Sequence, residues 1–338
     1  MRRIVHFGML LAGVGLTAWL LWSVGLAALA SNLSAVGAWW LVCVGLYLFA
    51  QLAFMMGWWV VMDPHVQELG FLKLFAVYLA GDTVNYLVPS GNLGGEPVKA
   101  YLLRDRLGLG RAFTSIVIHK HAELVAQWLL LAGGLAVCMA LFRFPGLVTV
   151  ANAVIVVGLG GSLVVMTWVL IRGTMSPLLR RMAGWRLVAS YLASFQPAAD
   201  ALVTRVQGFY AERGRWVVIA TGWCFIGWCG GLVETYLILR LFSPSNGWST
   251  AIAVETMAMA FNNLFAFVPA RLGSAEGVRT GVFVLLGLPA AQGVAYGIVR
   301  RARELVWILP GLVFLWGRYF GWSESTPCRP LTREGGYE

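Results

Sequence analysis

The chain has 338 residues, of which 59% are hydrophobic and 12% charged, and several apolar runs exceed the roughly 20 residues that carry a helix across a bilayer. A soluble globular domain is thereby excluded, and the chain reads as an all-α, polytopic membrane protein. Its formal net charge of +10, in a sequence this apolar, reads as topology and contact with anionic lipid rather than as nucleic-acid binding.

In chain order, Met1 to Arg3 is a short basic tail. Residues 4–28 read as a retained first helix and not as a signal peptide. An uncharged linker, 29–35, leads to helix two, 36–62, with Trp39, Trp40, Trp58 and Trp59 near its ends, where indoles favour the headgroup level. Residues 63–73 form a polar loop. The stretch 71–88 carries Asp82 and Asn85, breaks over 89–95, and is followed by Arg104, Arg106 and Arg111. A full crossing here would place that basic cluster outside, against the positive-inside tendency. The expectation is therefore a re-entrant hairpin, in over 71–88 and back over 96–107. Non-helical backbone at that depth needs protein or a watery cavity over it, so a cavity is implied.

Helix four, 112–142, opens with His119, Lys120, His121 and Glu123 and then becomes apolar. Helix five spans 147–171. The arginine-rich stretch 172–215 reads as a cytoplasmic linker with one or two surface-lying helices. Helix six, 217–242, carries Glu234 and Arg240. A second irregular unit comes next: 251–268 with Glu255, Asn262 and Asn263, a break over 269–273, then 274–286. Helix eight, 292 to about 316, ends in a basic tail over 318–338. The total is about six full transmembrane helices plus two re-entrant hairpins, with both termini cytoplasmic. The five cysteines form no Cys-x-x-Cys pair, so neither a disulfide frame nor a metal site is implied.

The two irregular units echo one another. Val88-Pro89-Ser90-Gly91-Asn92-Leu93-Gly94-Gly95-Glu96-Pro97-Val98-Lys99 aligns without a gap to Val268-Pro269-Ala270-Arg271-Leu272-Gly273-Ser274-Ala275-Glu276-Gly277-Val278-Arg279. Downstream, His119-Lys120-His121-Ala122-Glu123-Leu124-Val125 pairs with Arg300-Arg301-Ala302-Arg303-Glu304-Leu305-Val306, with one residue of slippage. This is a duplicated unit, repeat one about 36–142 and repeat two about 217–320. The charge rule makes the second hairpin enter from outside, so the repeats are inverted, as in many transporters.

The site, a central basic cavity, is expected where the two turns meet. Repeat one supplies Glu96, Lys99, His119, Lys120 and Glu123. Repeat two supplies Glu255, Asn262, Asn263, Arg271, Glu276 and Arg279, then Arg300, Arg301, Arg303 and Glu304. Pro89, Gly91, Gly94 and Gly95 in the first turn, and Pro269, Gly273 and Gly277 in the second, are the hinge residues. His119 with Glu123, and Arg300 with Glu304, share a helix face at i,i+4, and Glu255 shares one with Asn262 and Asn263. Each intramembrane charge has two readings, substrate contact or a buried pair that locks helices together. Arg271, with no acid fixed near it by sequence, is the leading anion contact. Asp82, Asn85, Glu234 and Arg240 read equally as cavity lining or buried glue.

The Val-Pro segments, with the Arg-Arg-x-Arg-Glu-Leu run over 300–305, resemble the lysylphosphatidylglycerol synthase/flippase-type transmembrane family. More narrowly, Gly227-Trp228 through Glu234, Glu255 to Asn263, Val268 to Gly277, Leu286-Gly287-Leu288 and Arg300 to Leu305 are similar to its hopanoid-biosynthesis-associated branch. The resemblance implies a multi-pass protein of the bacterial inner membrane that translocates lipid. The segment beyond Trp316 is too short for a soluble aminoacyl-transfer domain, so lysyl transfer is not expected. The expected partner is a membrane lipid, a phospholipid, polyprenyl phosphate or hopanoid-type molecule. No cofactor is expected, and Glu96 or Glu276 is placed to bind a proton in one state and couple transport to it. Two alternatives belong to other classes. One is an accessory subunit that docks a lipid-synthesis enzyme through 172–215 without transport. The other is an intramembrane serine hydrolase built on Ser90 with His119 or His121.

Overall fold

The computed structural model describes residues 26–62, 70–88, 90–142, 146–172, 189–264 and 273–319. Their regular elements are all helical. They are α1 (Leu26–Val36), a 3₁₀ turn (Gly37–Trp39), α2 (Trp40–Val60), α3 (Phe71–Leu87), α4 (Gly95–Leu107) and α5 (Leu109–Leu141), followed by α6 (Gly146–Arg172), α7 (Ala189–Phe242), α8 (Trp248–Leu264), α9 (Ser274–Leu285) and α10 (Ala290–Tyr319). An all-helical fold is what lipid requires, since a helix satisfies its own backbone polar groups. Helices cover both arms of each expected hairpin, α3 and α4 for the first and α8 and α9 for the second; residues 265–272, between α8 and α9, lie outside the described residues.

Two boundaries differ from expectation, each for a local reason. The uncharged stretch 29–35 is not a loop but part of α1. Its polar side chains fold back onto the helix: Ser31 Oγ and Asn32 Nδ2 donate to the Ala28 carbonyl (2.9 and 2.8 Å), and Ser34 Oγ donates to the Ser31 carbonyl (2.8 Å). With no proline to interrupt it, the segment runs on into α2. Likewise, residues 189–212 of the expected surface linker are continuous with helix six in α7, and the only division is a kink at Arg213 (φ −127, ψ 24). Most of the expected first helix, and the tail from residue 320, lie outside the described residues.

Four described segments are long and apolar enough to cross a membrane: Ala27–Val60, Leu109–Leu141, Val148–Arg172 and Pro197–Phe242. The expected eighth helix, α10, spans 30 residues but carries Arg300, Arg301, Arg303 and Glu304, and it does not meet that apolar standard. Large apolar side chains point outward along these helices, among them Phe49, Val157, Val164, Val218 and Val313, as lipid-facing surfaces do.

Two apolar cores sit at opposite ends of the long helices. One gathers Met55 and Trp58 of α2, Leu74 and Val77 of α3, Leu103 of α4, Ile116 and Ile118 of α5, and Val217 of α7. The other gathers Cys43 of α2, Leu131 and Leu135 of α5, Ile238 of α7, Met257 of α8, Phe283 of α9 and Tyr296 of α10. Thus α2, α5 and α7 run from one core to the other, with the first hairpin packed at one end and the second hairpin at the other. Around the middle, packing contacts close a ring in the order α3, α4, α5, α8, α9, α10 and back to α3. The entering helix of each hairpin thereby packs on the long helix that comes after the other hairpin.

Candidate functional site

Between the two cores, the ring encloses a cavity of about 260 Å³. It is walled by α3, α5, α8, α9 and α10, with α2 and α7 contributing from the side.

In the first hairpin, Gly91 and Asn92 both adopt left-handed backbone (φ 64), and Gly95 lets α4 cross tightly over α3. A Cβ at Gly95 would lie 1.9 Å from the Gly81 carbonyl oxygen. Asn85 then caps α4: the Gly95 N–H donates to Asn85 Oδ1 (2.7 Å), and Asn85 Nδ2 donates to Glu96 Oε1 (3.2 Å). Glu96 sits in the first turn of α4, where the positive end of the helix dipole favours a carboxylate. Its oxygens lie 3.3 Å from Lys99 Nζ, which also lies over the rings of Tyr78 and Trp58. Lys120 bridges to Glu123 (3.0 Å) and toward Glu96 (3.9 Å), and Gln51 Nε2 donates to Asp82 (2.6 Å).

The second half carries a denser network. Arg300 forks onto Glu255, Nη1 to Oε2 at 2.5 Å and Nη2 to Oε1 at 3.2 Å, and Glu255 Oε2 also accepts from the hydroxyls of Thr235 (2.6 Å) and Tyr296 (3.0 Å). Glu234, 1% exposed, pairs with Arg303 Nε at 2.6 Å and Arg300 Nε at 3.7 Å, out of line for hydrogen bonds. Glu276, like Glu96, occupies the first turn of its helix. It accepts from Arg301 Nε (2.7 Å), whose Nη1 donates to the Tyr86 hydroxyl (2.6 Å) of the other repeat. Arg279 is 7% exposed. Its one ion pair among the described residues, Nη2 to Glu304 Oε1, is long at 3.7 Å, and its Nη1 is buried without a hydrogen-bond partner.

Of the expected residues, Lys120, Glu123, Glu255, Asn262, Asn263, Arg279, Arg300, Arg301 and Glu304 line the cavity together. Glu96 and Glu276 stand behind the wall as ion-pair partners of Lys120 and Arg301, while Lys99 pairs with Glu96 and Arg303 with Glu234. His119 does not face the cavity: its Nε2 bonds the Phe54 carbonyl (2.9 Å), and its ring packs against Trp58 and Tyr78. Arg271, Pro89 and Pro269 lie outside the described residues. Of the expected hinges, Gly91 and Gly273 adopt positive φ, whereas Gly277 continues α9. The i,i+4 partnerships are replaced by tertiary ones, because Arg300 reaches across to Glu255 and Glu304 turns to Arg279. The described wall is charge-balanced and not basic, since Asp82, Glu123, Glu255 and Glu304 offset Lys120, Arg279, Arg300 and Arg301. Sequence reasoning missed Tyr47, Gln51, Tyr86 and Gln127 on the wall. The two glutamines carried a usable signal, as amides inside apolar runs, where polar groups are costly.

The hydrolase arrangement does not form among the described residues. Ser90 Oγ accepts from the Gly94 N–H (2.7 Å), and His121 is held by Tyr210 (2.6 Å) and Thr167 (2.8 Å). His121 is thus a packing residue between α5, α6 and α7. Tyr210→Phe is expected to leave its Nδ1 unpaired, lowering stability by about 1 kcal/mol. A detergent melting curve reads that as a lower Tm.

The fold and cavity define a polytopic helical membrane protein whose ionisable side chains are gathered between two helix-break-helix units. The family described as lysylphosphatidylglycerol synthase TM region matches residues 7–311, and the chain belongs to it. It is similar to a UPF0104 membrane protein of Methanothermobacter thermautotrophicus, 22% identical over 274 residues that cover 76% of this chain and 78% of that protein. No solved structure matches. Membership in the family suggests a membrane-lipid role.

Proposed function

We propose that the chain is a flippase- or scramblase-like transporter that passes the polar, phosphate-bearing head of a membrane lipid through the central cavity while the tail stays in the bilayer. The observation that carries this reading is Arg279, a cavity-wall guanidinium with a buried Nη1 and no hydrogen bond to occupy it. Guanidinium forks suit phosphate because they give paired, charge-assisted hydrogen bonds. Two further observations support it. The hairpins pack at opposite ends of the long helices, as inverted repeats entering from opposite faces would. The ring contacts also exchange helices between the halves, the construction that alternating access uses. The setting is the bacterial inner membrane, with both termini cytoplasmic, and Glu96 or Glu276 is the proton-binding group if transport is coupled. Hopanoid-type lipid joins phospholipid and polyprenyl phosphate among the heads to be assayed.

The test is reconstitution in liposomes with labelled lipids of those three kinds. Wild-type protein is expected to move at least one of them. Arg279→Ala, losing a charge-assisted hydrogen bond of about 1.5–3 kcal/mol, should slow it by roughly 10- to 100-fold. Arg104→Ala, at an arginine paired with Asp105 away from the cavity, should not. No movement by the wild type favours the accessory-subunit reading, and unchanged movement in Arg279→Ala removes the cavity from the mechanism.

A further inference from the structure

We propose a second lipid site, independent of the central cavity, that holds an anionic phospholipid at the kink of α7. Two adjoining concavities, about 400 and 560 Å³, meet there and share Glu212 and Arg213. The first brings basic groups together beside Val61 and Phe209: Arg111 and Thr114 from the start of α5 face Arg205 and Arg213 from α7. The second is a trough floored by Met56, Val60 and Met62 and edged by Trp59, Trp216 and Arg215. Arg205, Arg213 and Arg215 line these concavities with one carboxylate, Glu212, and among the described residues none of the three has a carboxylate partner within 4.0 Å.

The geometry selects an amphiphile. The guanidiniums supply forked donors for a phosphodiester. The trough beside them offers an apolar bed for an acyl chain, between two indoles of the kind that mark the headgroup level. A free phosphate would use only the first concavity, and an acidic protein segment has no need of the second. Placement is fixed from three directions. Arg205 rests against the start of α5, so close that a Cβ at Gly110 would lie 2.0 Å from its Nη1. Gln207 Nε2 donates to the Ile171 carbonyl in the last turn of α6 (3.1 Å). Arg213 is the residue at which α7 leaves helical geometry. A lipid bound here touches both arms of α7 and so holds the angle between them.

The experiment titrates the detergent-solubilised full chain with short-chain phosphatidylglycerol, with phosphatidylcholine and with inorganic phosphate, and counts bound species by native mass spectrometry. Phosphatidylglycerol is expected to bind at least roughly tenfold more tightly than phosphatidylcholine, because each basic residue adds to the attraction of an anionic head. Arg205→Ala/Arg213→Ala should abolish that preference, while Arg104→Ala keeps it. Arg205→Gln, at an exposed side chain, gives a partial loss and serves should the double variant misfold. Equal binding of the two lipids, a preference untouched by these variants, displacement of the lipid by inorganic phosphate, or its displacement by an acidic protein held through the same arginines would each overturn the assignment.

Discussion

Glu234→Leu is expected to destabilise the protein by about 3–5 kcal/mol, the cost of leaving a buried charge without its partner. Arg303 is 3% exposed, and Glu234 is its only ion-pair partner among the described residues. The reverse change should be milder. In Arg303→Met, Glu234 keeps the Arg300 guanidinium 3.7 Å away, so a charge of opposite sign still faces it. The double variant Glu234→Leu/Arg303→Met should recover much of the loss, because replacing a whole buried pair by apolar side chains of similar volume is often close to neutral. Melting temperatures in detergent, with monodispersity as a check on folding, decide the matter. Equal losses in the two single variants, or a double variant that merely sums them, would show that Glu234 does not serve Arg303 in this way.

The second large effect is steric. Gly311 lies where α10 crosses α3, and a Cβ there would stand 2.1 Å from Thr83 Oγ1 and 2.7 Å from the Leu79 carbonyl oxygen. A hydroxyl can rotate, but a backbone carbonyl cannot retreat without moving its helix. Gly311→Ala should therefore cost about 1–3 kcal/mol as overpacking, with only partial rescue by Thr83→Ala. The matching crossing of α5 and α8 provides the contrast. The three atoms nearest a Cβ at Gly134 all belong to the Thr256 side chain, the first being Cγ2 at 2.1 Å, so Gly134→Ala should cost less and be rescued more fully by Thr256→Ala. The comparison fails if Gly134→Ala lowers the Tm as far as Gly311→Ala does.

The elements were legible in the sequence because apolar run length and the Gly/Pro breaks are strong local signals. The ends of α3 at Leu87 and of α4 at Leu107 fall within a residue of expectation. Where sequence and structure part, a side chain has a partner the sequence does not place. The stretch 29–35 has the composition of a loop, yet Ser31, Asn32 and Ser34 bond their own helix. His119 has the sequence neighbours of a site residue, yet its helix face turns it onto the Phe54 carbonyl. The expected basic cavity rested on counting arginines. Their partners, Glu255 for Arg300 and Glu276 for Arg301, come from other helices, and only tertiary packing shows that the charges cancel. Arg279 stands out for the same reason, since which guanidinium lacks a full set of partners is a property of the packed structure; Arg271 lies outside the described residues.

The closed order of α3, α4, α5, α8, α9 and α10 sets a mechanical condition. Six rods joined edge to edge have a fixed perimeter, so widening one joint must shear or narrow another unless a contact breaks. The rods on either side of the Gly311 and Gly134 joints come from opposite repeats. Neither repeat is therefore a free-standing lever, and widening one of these joints draws the other tight.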